Sequence, residues 1–507
     1  MFKSKMSFIT RLTRNLIGGK MLPQLTAGIL ACQNGSALTR LNRHLVLARH
    51  FGILEGLGGM AVVGAAAAYY HHKKLDRLAM PGPKGSRTVE RSDGSRVIYT
   101  MKDRELMKTV DPNLKALPDL VRKGLKLSQN GDMLGRRNTQ KEGAPWEWIQ
   151  YADAIQKSKD MAYGFRCLNV PIGQKTCIGI FMKNRPEWIL TEMACHVFNN
   201  VSVPIYDSAH IDHIVHIVNE TEMPLIVVSN GKKAKILMSR IKCMPKVRYI
   251  VTIDAFDEPY LKHAAEENNI RMLSLEELET LGREMPDKPN VAEPKPEDVA
   301  TICYTSGTTG LPKGVILTHG NFVSAYSATT LWPEGKNPWQ PGGAMISYLP
   351  LAHIMEHYFE YGVFLHGGKV GHFRGDVSQL LDDMQTLQPI VVPAVPRILN
   401  KICDSVDQEL SKSPIKRAIF NLGIAYKKYE LSRGVVRNDS LVDKIVFRKI
   451  QGLFGGRMKW MLTGSAPVSV EVMTFARCAF GCVVTEGYGQ TETCAPSTAR
   501  KKLAIDA

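Results

Sequence analysis

The side chains best suited to chemistry stand together in one ten-residue segment, Thr305 to Gly314 (TSGTTGLPKG). This segment follows the apolar run ATICY and precedes a second apolar run, Val315 to Leu317. Glycines let the backbone adopt positive φ and approach a ligand closely, so successive N–H groups can converge on an anion. Four hydroxyls are suited to phosphate oxygens or to magnesium, and Lys313 supplies a point charge. The segment therefore predicts a loop that binds the phosphates of a nucleotide.

Two other interpretations of this segment are weaker. The common P-loop requires G-x-x-x-x-G-K-[ST] at the start of a helix, whereas here the spacing differs and strand-like runs flank the loop on both sides. The second alternative is a flexible Gly/Thr turn in a hairpin. Ten consecutive residues of this kind favour phosphate binding over a simple turn.

Several further motifs accompany the phosphate loop. They are Lys183 to Trp188 (KNRPEW), Pro204 to Asp207 (PIYD), Ser347 to Glu356 (SYLPLAHIME), Val392 to Arg397 (VPAVPR), Thr463 to Pro467 (TGSAP) and Thr485 to Thr493 (TEGYGQTET). Together with YTSGTTGLPKGV, they closely resemble the motifs of the adenylate-forming superfamily, in the versions found in long-chain acyl-CoA synthetases (long-chain fatty acid:CoA ligases). The resemblance spans about residues 90 to 500.

The resemblance implies a role for each motif in binding ATP. The residues that would hold the phosphates are Thr305, Ser306, Gly307, Thr308, Thr309, Gly310 and Lys313. Those that would lie against the adenine are Gly464, Ser465 and Ala466, with Glu486, Gly487, Tyr488 and Gly489 as the surrounding wall. Small side chains permit the close approach of backbone to the ring, and Tyr488 would stack on it.

The resemblance also implies the chemical roles. Thr491 would contact the α-phosphate, and His353 would sit where the acyl carboxylate meets that phosphate, so His353, Lys313 and Thr491 are the predicted catalytic residues. Thr308 and Glu492 would hold Mg²⁺, as hydroxyl and carboxylate oxygens suit. Without the motif context, His353 and Tyr488 would each be interpreted as core residues. We keep that interpretation for Trp188, and we assign no catalytic role to Arg397.

The fold is predicted to be α/β, because from about residue 145 short apolar runs alternate with amphipathic stretches. Candidate strands are Thr176 to Met182, Val201 to Ile205, Pro224 to Val228, Val247 to Ile253, Ala300 to Tyr304, Ala344 to Leu349 and Ile390 to Val392. Between them, the helical pattern from Glu187 to Phe198 places Leu190, Met193, Ala194 and Val197 on one stripe. The resemblance implies stacked, mostly parallel sheets flanked by helices.

Residues 284 to 298, rich in proline and charge, are interpreted as a connection between subdomains. We therefore predict a first α/β subdomain over 90–290 and an ATP-binding subdomain over 298–507. In the resembling family the pattern continues with a ribose-binding acid, a hinge and a small mobile domain that bears a lysine. Because this chain stops fifteen residues after Glu492, we expect that mobile domain to be absent and thioester formation to be impaired.

The formal charge of +17 is uneven, since residues 1–54 carry eight lysines and arginines and no acid. The rest of the excess is spread thinly, without a basic block interleaved with aromatics, which argues against nucleic-acid binding. The basic leader is followed by an apolar stretch over 51–72, whose uncharged part, 56–70, is short for a membrane span. A membrane anchor, a cleaved transit peptide and a disordered leader all stay open.

Ten cysteines lack the paired spacing of a zinc site, so free thiols in a reducing compartment are predicted. Cys478 and Cys482 are expected to pack in the core.

The function that the resemblance predicts is ATP-dependent activation of long-chain fatty acids to acyl-CoA through an acyl-adenylate, with ATP, Mg²⁺ and CoA. The expected location is the mitochondrial outer membrane or endoplasmic reticulum, with the site facing the cytosol. A non-catalytic nucleotide-binding or regulatory truncated isoform and an adenylating enzyme for another carboxylate are the alternatives.

Overall fold

The computed structural model describes residues 88–92, 94, 96–98, 108–254, 259–306, 310–327 and 338–499. The predicted leader (1–54), the apolar stretch (51–72) and the last residues of the chain (501–507) lie outside the described residues. Within the described ranges, no helix is both long and apolar enough to cross a membrane.

The described residues form seventeen strands in three sheets. In chain order the strands are β1 (Thr88–Glu90), β2 (Arg96–Ile98), β3 (Asp132–Arg137), β4 (Trp146–Gln150), β5 (Cys177–Phe181), β6 (Val201–Ile205), β7 (Leu225–Val228), β8 (Tyr249–Thr252), β9 (Arg271–Ser274), β10 (Val299–Thr305), β11 (Lys313–Thr318), β12 (Ala344–Ser347), β13 (Lys369–His372), β14 (Val391–Ala394), β15 (Trp460–Thr463), β16 (Val483–Gln490) and β17 (Ala495–Ala499).

Fourteen α-helices connect these strands in the described part of the chain. They are α1 (Leu117–Ser128), α2 (Tyr151–Cys167), α3 (Pro186–Val197), α4 (Ile211–Glu220), α5 (Gly231–Met238), α6 (Pro259–Glu267), α7 (Leu275–Arg283), α8 (His319–Ser327), α9 (Ile354–Leu365), α10 (Leu380–Leu387), α11 (Pro396–Ser411), α12 (Pro414–Ser432), α13 (Arg448–Gly452) and α14 (Val470–Ala479). Short 3-10 helices cover Ile241–Cys243, Val377–Gln379 and Thr491–Thr493, and a π-helix covers Asp443–Phe447.

The first large sheet has seven strands in the order β11-β10-β6-β5-β7-β8-β9, and all of its pairs except β10–β11 are parallel. The second has eight strands in the order β17-β16-β15-β14-β12-β13-β3-β4, parallel except for the pairs at its two edges. The first two strands, β1 and β2, form a separate antiparallel pair. All seven predicted strands are therefore confirmed, and each predicted bound lies within two residues of the observed one.

The two large sheets exchange strands along the chain. Strands β10 and β11 follow the proline-rich connection at 284–298, yet they complete the first sheet. Strands β3 and β4 precede that connection, yet they pair into the second sheet through β13. The predicted boundary near residue 290 therefore does not coincide with a division between the sheets.

Three apolar clusters fill the described body. The largest takes Ile178 and Ile180 from the first sheet, Met345 and Val391 from the second, and large side chains of α3 and α9. Each of the other two clusters takes strand residues from only one large sheet. One contains Phe181 of the first sheet, and the other contains Ile346 of the second. Because successive residues of a strand point to opposite faces, helices α3 and α9 pack on the inner faces that the two sheets share.

The prediction that α3 has one apolar stripe is too simple. Leu190 and Ala194 of that stripe are buried, but so are the polar residues Thr191 and Glu192 on other sides of the helix. A helix packed on several sides buries polar groups only where partners are available. Trp188 is fully buried, so its prediction as a core aromatic is confirmed.

The nine described cysteines are all free, and Cys478 and Cys482 are buried in the apolar core as predicted.

Candidate functional site

The predicted motifs follow the carboxyl ends of adjacent parallel strands in the second sheet. Ala394 of β14 pairs with Thr463 of β15, which in turn pairs with Glu486 of β16. Ser347 ends β12, the neighbour of β14 on the other side. Ligands of open parallel sheets bind outside the carboxyl ends of the strands. The sheet therefore presents SYLPLAHIME, VPAVPR, TGSAP and TEGYGQTET at one edge.

The phosphate loop connects β10 to β11, which are antiparallel, with Thr305 paired to Lys313. Gly310 has φ of 92°, a conformation that suits glycine, and open space surrounds it. His216 Nε2 donates to the Pro312 carbonyl at 3.1 Å and holds the end of the loop. The segment therefore does form a hairpin, the geometry of the alternative interpretation as a Gly/Thr turn. Gly307, Thr308 and Thr309 lie outside the described residues.

The phosphate-loop hairpin meets the last motif. Residues of β11 lie within 8 Å, Cα to Cα, of the 3-10 helix Thr491–Thr493. Lys313 and Glu492 are exposed, and Thr491 is partly buried. The structure therefore brings the predicted cationic, hydroxyl and carboxylate groups to neighbouring elements.

The TGSAP and TEGYGQTET segments approach each other closely at glycine residues. A Cβ on Gly464 would lie 2.9 Å from the Gly487 carbonyl oxygen and 4.0 Å from Met355 Sδ. Ser465 has φ of 69° and its Oγ lies 3.6 Å from the same sulfur. Ala466 is exposed beside it. These contacts place the two predicted adenine segments next to each other and against the first turn of α9.

Tyr488 is 68% exposed, so the core interpretation of this aromatic is wrong. It stands at the exposed end of β16, after Glu486 and before Gly489. A Cβ on Gly489 would overlap the Ala495 carbonyl of the antiparallel strand β17. A glycine is therefore required at position 489. The exposed ring of Tyr488 offers an apolar face suited to stacking.

His353 is the N-cap residue of α9. Its Nδ1 accepts a hydrogen bond from the Met355 backbone N–H at 3.1 Å. The ring is partly buried, which lowers the pKa of His353 and keeps the imidazole neutral at pH 7. Because Nδ1 accepts, the single proton of the neutral ring is on Nε2. His353 is therefore a hydrogen-bond donor at the site.

Asn184, in the loop before α3, clamps the segment that carries His353. Its Nδ2 donates to Ser347 Oγ at 2.8 Å and to the Leu349 carbonyl at 2.5 Å. Its Oδ1 accepts from the Leu351 N–H at 2.9 Å. Asn184 is buried, so these bonds replace water for backbone groups that have no other partner in a strand or helix.

Glu356 closes the same segment from the other side. It is fully buried on α9 and accepts from the Tyr348 N–H at 2.9 Å, while its Oε2 has no hydrogen-bond partner. Burial, together with the nearby charge of Glu360, raises the pKa of Glu356 well above its usual range. The folded protein therefore favours the protonated form of Glu356 more than water does.

A second buried network holds α9 against α3 and β6. Glu192 accepts from Tyr361 Oη at 2.8 Å, from His357 Nε2 at 2.8 Å and from Ser202 Oγ at 3.1 Å. Burial acts to raise the pKa of Glu192, but His357 and the hydrogen bonds lower it to about 2. Helix α9 is therefore anchored to α3 and β6 at His357 and Tyr361.

Sequence reasoning missed Asn184, Glu356 and Glu192 as supports of the site. Asn184 and Glu356 do lie within the motifs KNRPEW and SYLPLAHIME, which was the available signal. Arg397 is exposed on the first turn of α11. In the ranges that the structure covers, no cluster of three or more His, Cys, Asp or Glu side chains is arranged to hold a metal ion.

The fold is similar to that of solved adenylating proteins. The A domain of a carboxylic acid reductase from Segniliparus rugosus, in complex with AMP and a co-purified carboxylic acid, matches 77% of this chain and 62% of its own length, with a TM-score of 0.60 and 19% identity. A long-chain-fatty-acid-CoA ligase from Archaeoglobus fulgidus matches 78% of this chain and 68% of its own length, with a TM-score of 0.56 and 17% identity. The architecture is therefore that of the N-terminal domain of adenylate-forming enzymes.

Sequence comparison identifies the family. The model of the AMP-binding enzyme family matches residues 135–506, and the chain belongs to this family. Long-chain-fatty-acid--CoA ligase 5 of Mus musculus is 39% identical over 401 residues, which are 79% of this chain and 58% of the relative. Long-chain-fatty-acid--CoA ligase 1 of Homo sapiens is 36% identical over 440 residues, 86% of this chain and 62% of the relative. The chain thus spans about three fifths of the length of these curated relatives.

Proposed function

We propose that this chain binds ATP and a long-chain fatty acid and activates the carboxylate as an acyl-adenylate, from which CoA takes the acyl group. The observation that supports this most strongly is the continuity of the site. The phosphate-loop strand β11 neighbours Thr491–Thr493, Gly464 touches Gly487, and Ser465 meets Met355, whose N–H binds His353. These contacts support a single surface for phosphates, adenine and carboxylate.

The chemistry follows from the leaving group. A carboxylate is a poor acyl donor because it would have to expel oxide, and adenylation replaces oxide by AMP. A carboxylate oxygen attacks the α-phosphorus of ATP and the bond to pyrophosphate breaks. The CoA thiol then forms a thioester, and AMP departs. Positioning and electrostatic stabilisation dominate catalysis of such transfers, so no protein nucleophile is required.

The chain's residues take distinct parts in this reaction. Lys313 offsets negative charge on the outer phosphates. The Nε2–H of neutral His353 donates to an oxygen at the junction of carboxylate and α-phosphate, and Thr491 donates to the α-phosphate. Because His353 is neutral and its Nδ1 is engaged, its role is to orient and to polarise.

The remaining predicted residues bind the nucleotide and its cation. Tyr488 stacks on the adenine, and Gly464 with Gly487 allows the ring to approach the backbone. The exposed carboxylate of Glu492 and the hydroxyl of Thr308 suit Mg²⁺, a hard cation that prefers oxygen. When bound, Mg²⁺ neutralises charge on the triphosphate.

The test is calorimetry with Mg·ATP, followed by a non-hydrolysable palmitoyl-adenylate analogue and its acetyl counterpart. We expect Mg·ATP to bind, and the palmitoyl analogue to bind more tightly than the acetyl one because its chain is desolvated. Absence of heat with Mg·ATP on folded material would refute nucleotide binding. Equal affinity for both analogues would refute the long-chain assignment.

We further propose that the protein associates with the mitochondrial outer membrane or the endoplasmic reticulum, with the site facing the cytosol. The support is twofold. The leader over 1–54 carries eight basic residues and no acidic one, and it is followed by the apolar stretch over 51–72. Alkaline carbonate extraction tests an integral anchor, since full release of the protein into the soluble fraction contradicts it.

A further inference from the structure

Exposed apolar side chains of the described body are concentrated on α12. They form one line along this helix, namely Ile415 (70% exposed), Ile419 (40%), Leu422 (73%) and Tyr429 (53%). Spacings of four, three and seven residues place them on a single face. We call these four residues the α12 stripe. Its length is about 21 Å at 1.5 Å per residue.

An adjacent side of α12 is fixed in the body, so the stripe does not turn inward. Gly423 packs against Phe447, and a Cβ there would lie 3.2 Å from that ring. Lys427 Nζ lies 3.0 Å from Asp443 and 3.2 Å from Glu430, and all three groups are buried. A broken buried ion pair costs several kcal/mol. The stripe is therefore a permanent part of the surface.

Five basic side chains lie on α12 and on the two elements that follow it, and we call them the basic border. Those on α12 are Lys416 and Lys428, and the following π-helix and α13 add Lys444, Arg448 and Lys449. All five are exposed, and within the described residues none of them has an acidic partner at ion-pair distance. The nearby acids Glu409 and Asp407 already pair with Lys412 at 2.6 Å and with Arg417 at 3.0 Å.

Ile445 extends the apolar surface next to these cations. It is 76% exposed in the π-helix that packs on α12 through Phe447 and Phe420, whose ring centroids are 5.5 Å apart. A contiguous exposed apolar surface marks an interaction site more strongly than scattered residues do. Glu409 interacts electrostatically with Lys412, Lys416 and Lys449, so one acid faces three of the cations near the stripe. An apolar face beside such an excess of lysines and arginines is complementary to an anionic lipid interface, where acyl chains lie below negative headgroups.

We propose that the α12 stripe and its basic border dock the body of the protein on an anionic phospholipid bilayer. The inference deepens the proposed function and rests on it in one respect, since a long-chain fatty acid partitions into such a bilayer. The chain continues from VPAVPR at the site edge through α11 into α12. Docking through α12 therefore links the site to the phase that contains its substrate.

The first experiment measures partition of the full chain onto vesicles of phosphatidylcholine with and without phosphatidylserine. The stripe variant combines Ile415→Ser, Ile419→Ser and Leu422→Ser, and the charge variant combines Lys416→Gln, Lys428→Gln and Lys444→Gln. The control variant combines Ile172→Ser, Val377→Ser and Val470→Ser, which are exposed apolar positions elsewhere. We expect a loss of about tenfold or more for the stripe variant and about fivefold per lysine for the charge variant on anionic vesicles.

The second experiment locates the contact, because the leader alone can hold the chain on a vesicle. Phosphatidylserine vesicles with a photoactivatable acyl chain are crosslinked to the full chain, and the adducts are mapped by mass spectrometry. Adducts within 414–432 support the proposal. Their absence overturns it, as does a stripe variant that partitions like the control.

Two further outcomes test whether a bilayer covers the α12 stripe and whether docking stands apart from the proposed function. If the stripe variant changes only self-association in sedimentation equilibrium, a second copy of the chain covers α12 and the proposal is wrong. If Mg·ATP fails to bind while α12 crosslinks to lipid, the proposed function fails but the docking surface stands.

Discussion

The phosphate-loop hairpin and the segment that carries His353 are built in opposite ways. The hairpin is anchored at its base, by Tyr304 Oη to Glu220 at 2.6 Å and by His216 to the Pro312 carbonyl, and its Ser306 and Lys313 are exposed. The His353 segment is instead held by buried side chains on both sides. The proposed phosphate-binding loop is thus open, while the segment proposed to meet the carboxylate is pre-organised by its supports.

Asn184→Ala should have the largest effect and tests the pre-organised half. Three hydrogen bonds disappear and buried backbone groups lose their partner, so we expect the free energy of unfolding to fall by about 3 kcal/mol. Affinity for the palmitoyl-adenylate analogue should fall as well, while Mg·ATP affinity stays within about twofold. Urea denaturation and calorimetry measure these changes.

The matched control for Asn184→Ala is Asn200→Ala. Asn200 is also buried, and it donates to the Pro171 and Gly173 carbonyls, away from the motifs. It should destabilise the fold without changing the affinity for either ligand. If both variants weaken the analogue equally, Asn184 acts only through stability.

Lys313→Ala tests the open half. Removing a charge-assisted contact to phosphate should lower Mg·ATP affinity by about ten- to a hundredfold. Stability should change by less than about 0.5 kcal/mol because Lys313 is exposed. Calorimetry with Lys295→Ala, an exposed lysine of the 284–298 connection, provides the comparison. Undiminished Mg·ATP binding would contradict the assigned role of the loop.

Glu356→Gln sharpens the comparison through pH. Because the pKa of Glu356 is raised in the folded protein, the unfolded chain loses this proton at a lower pH than the folded chain does. In the wild type, the contribution of Glu356 to the free energy of unfolding is therefore full below the unfolded pKa. It is lost as the pH rises toward the folded pKa. Glutamine has no proton to lose. The variant should therefore gain stability relative to wild type, by up to about 1.4 kcal/mol per pH unit within that window.

Urea denaturation at pH 5 and pH 7 measures this difference for Glu356→Gln. The exposed Glu297→Gln serves as the control and should show no such pH-dependent gain. A difference that stays constant with pH would mean that Glu356 is ionised in the folded state.

Tyr488→Leu should have the smallest effect. Loss of one stacking face should lower Mg·ATP affinity by about fivefold, since an aromatic contact is worth ~1 kcal/mol. The thermal midpoint should not move, because the ring is exposed. Fluorescence titration with a labelled nucleotide measures the affinity. Unchanged affinity would remove Tyr488 from the adenine site.

Local patterns predicted what is local in the structure. Runs such as Val201 to Ile205 are apolar and bounded by polar residues, so the strands could be assigned from sequence. The supports of the site could not, because Asn184 and Leu351 are separated by 167 positions and only the tertiary fold pairs them. The burial of α3 on several sides has the same origin, since the partners of Glu192 lie on β6 and α9.

The exchange of strands between the two large sheets has a consequence for how the polypeptide can be divided. A cut in the proline-rich stretch at 284–298 leaves the amino-terminal piece with two strands that belong to the other sheet, and the carboxyl-terminal piece with two strands of the first. Neither piece contains a complete copy of either large sheet. The halves on either side of such a nick must therefore stay associated to remain folded, and expression of one half alone is a poor route to an isolated domain.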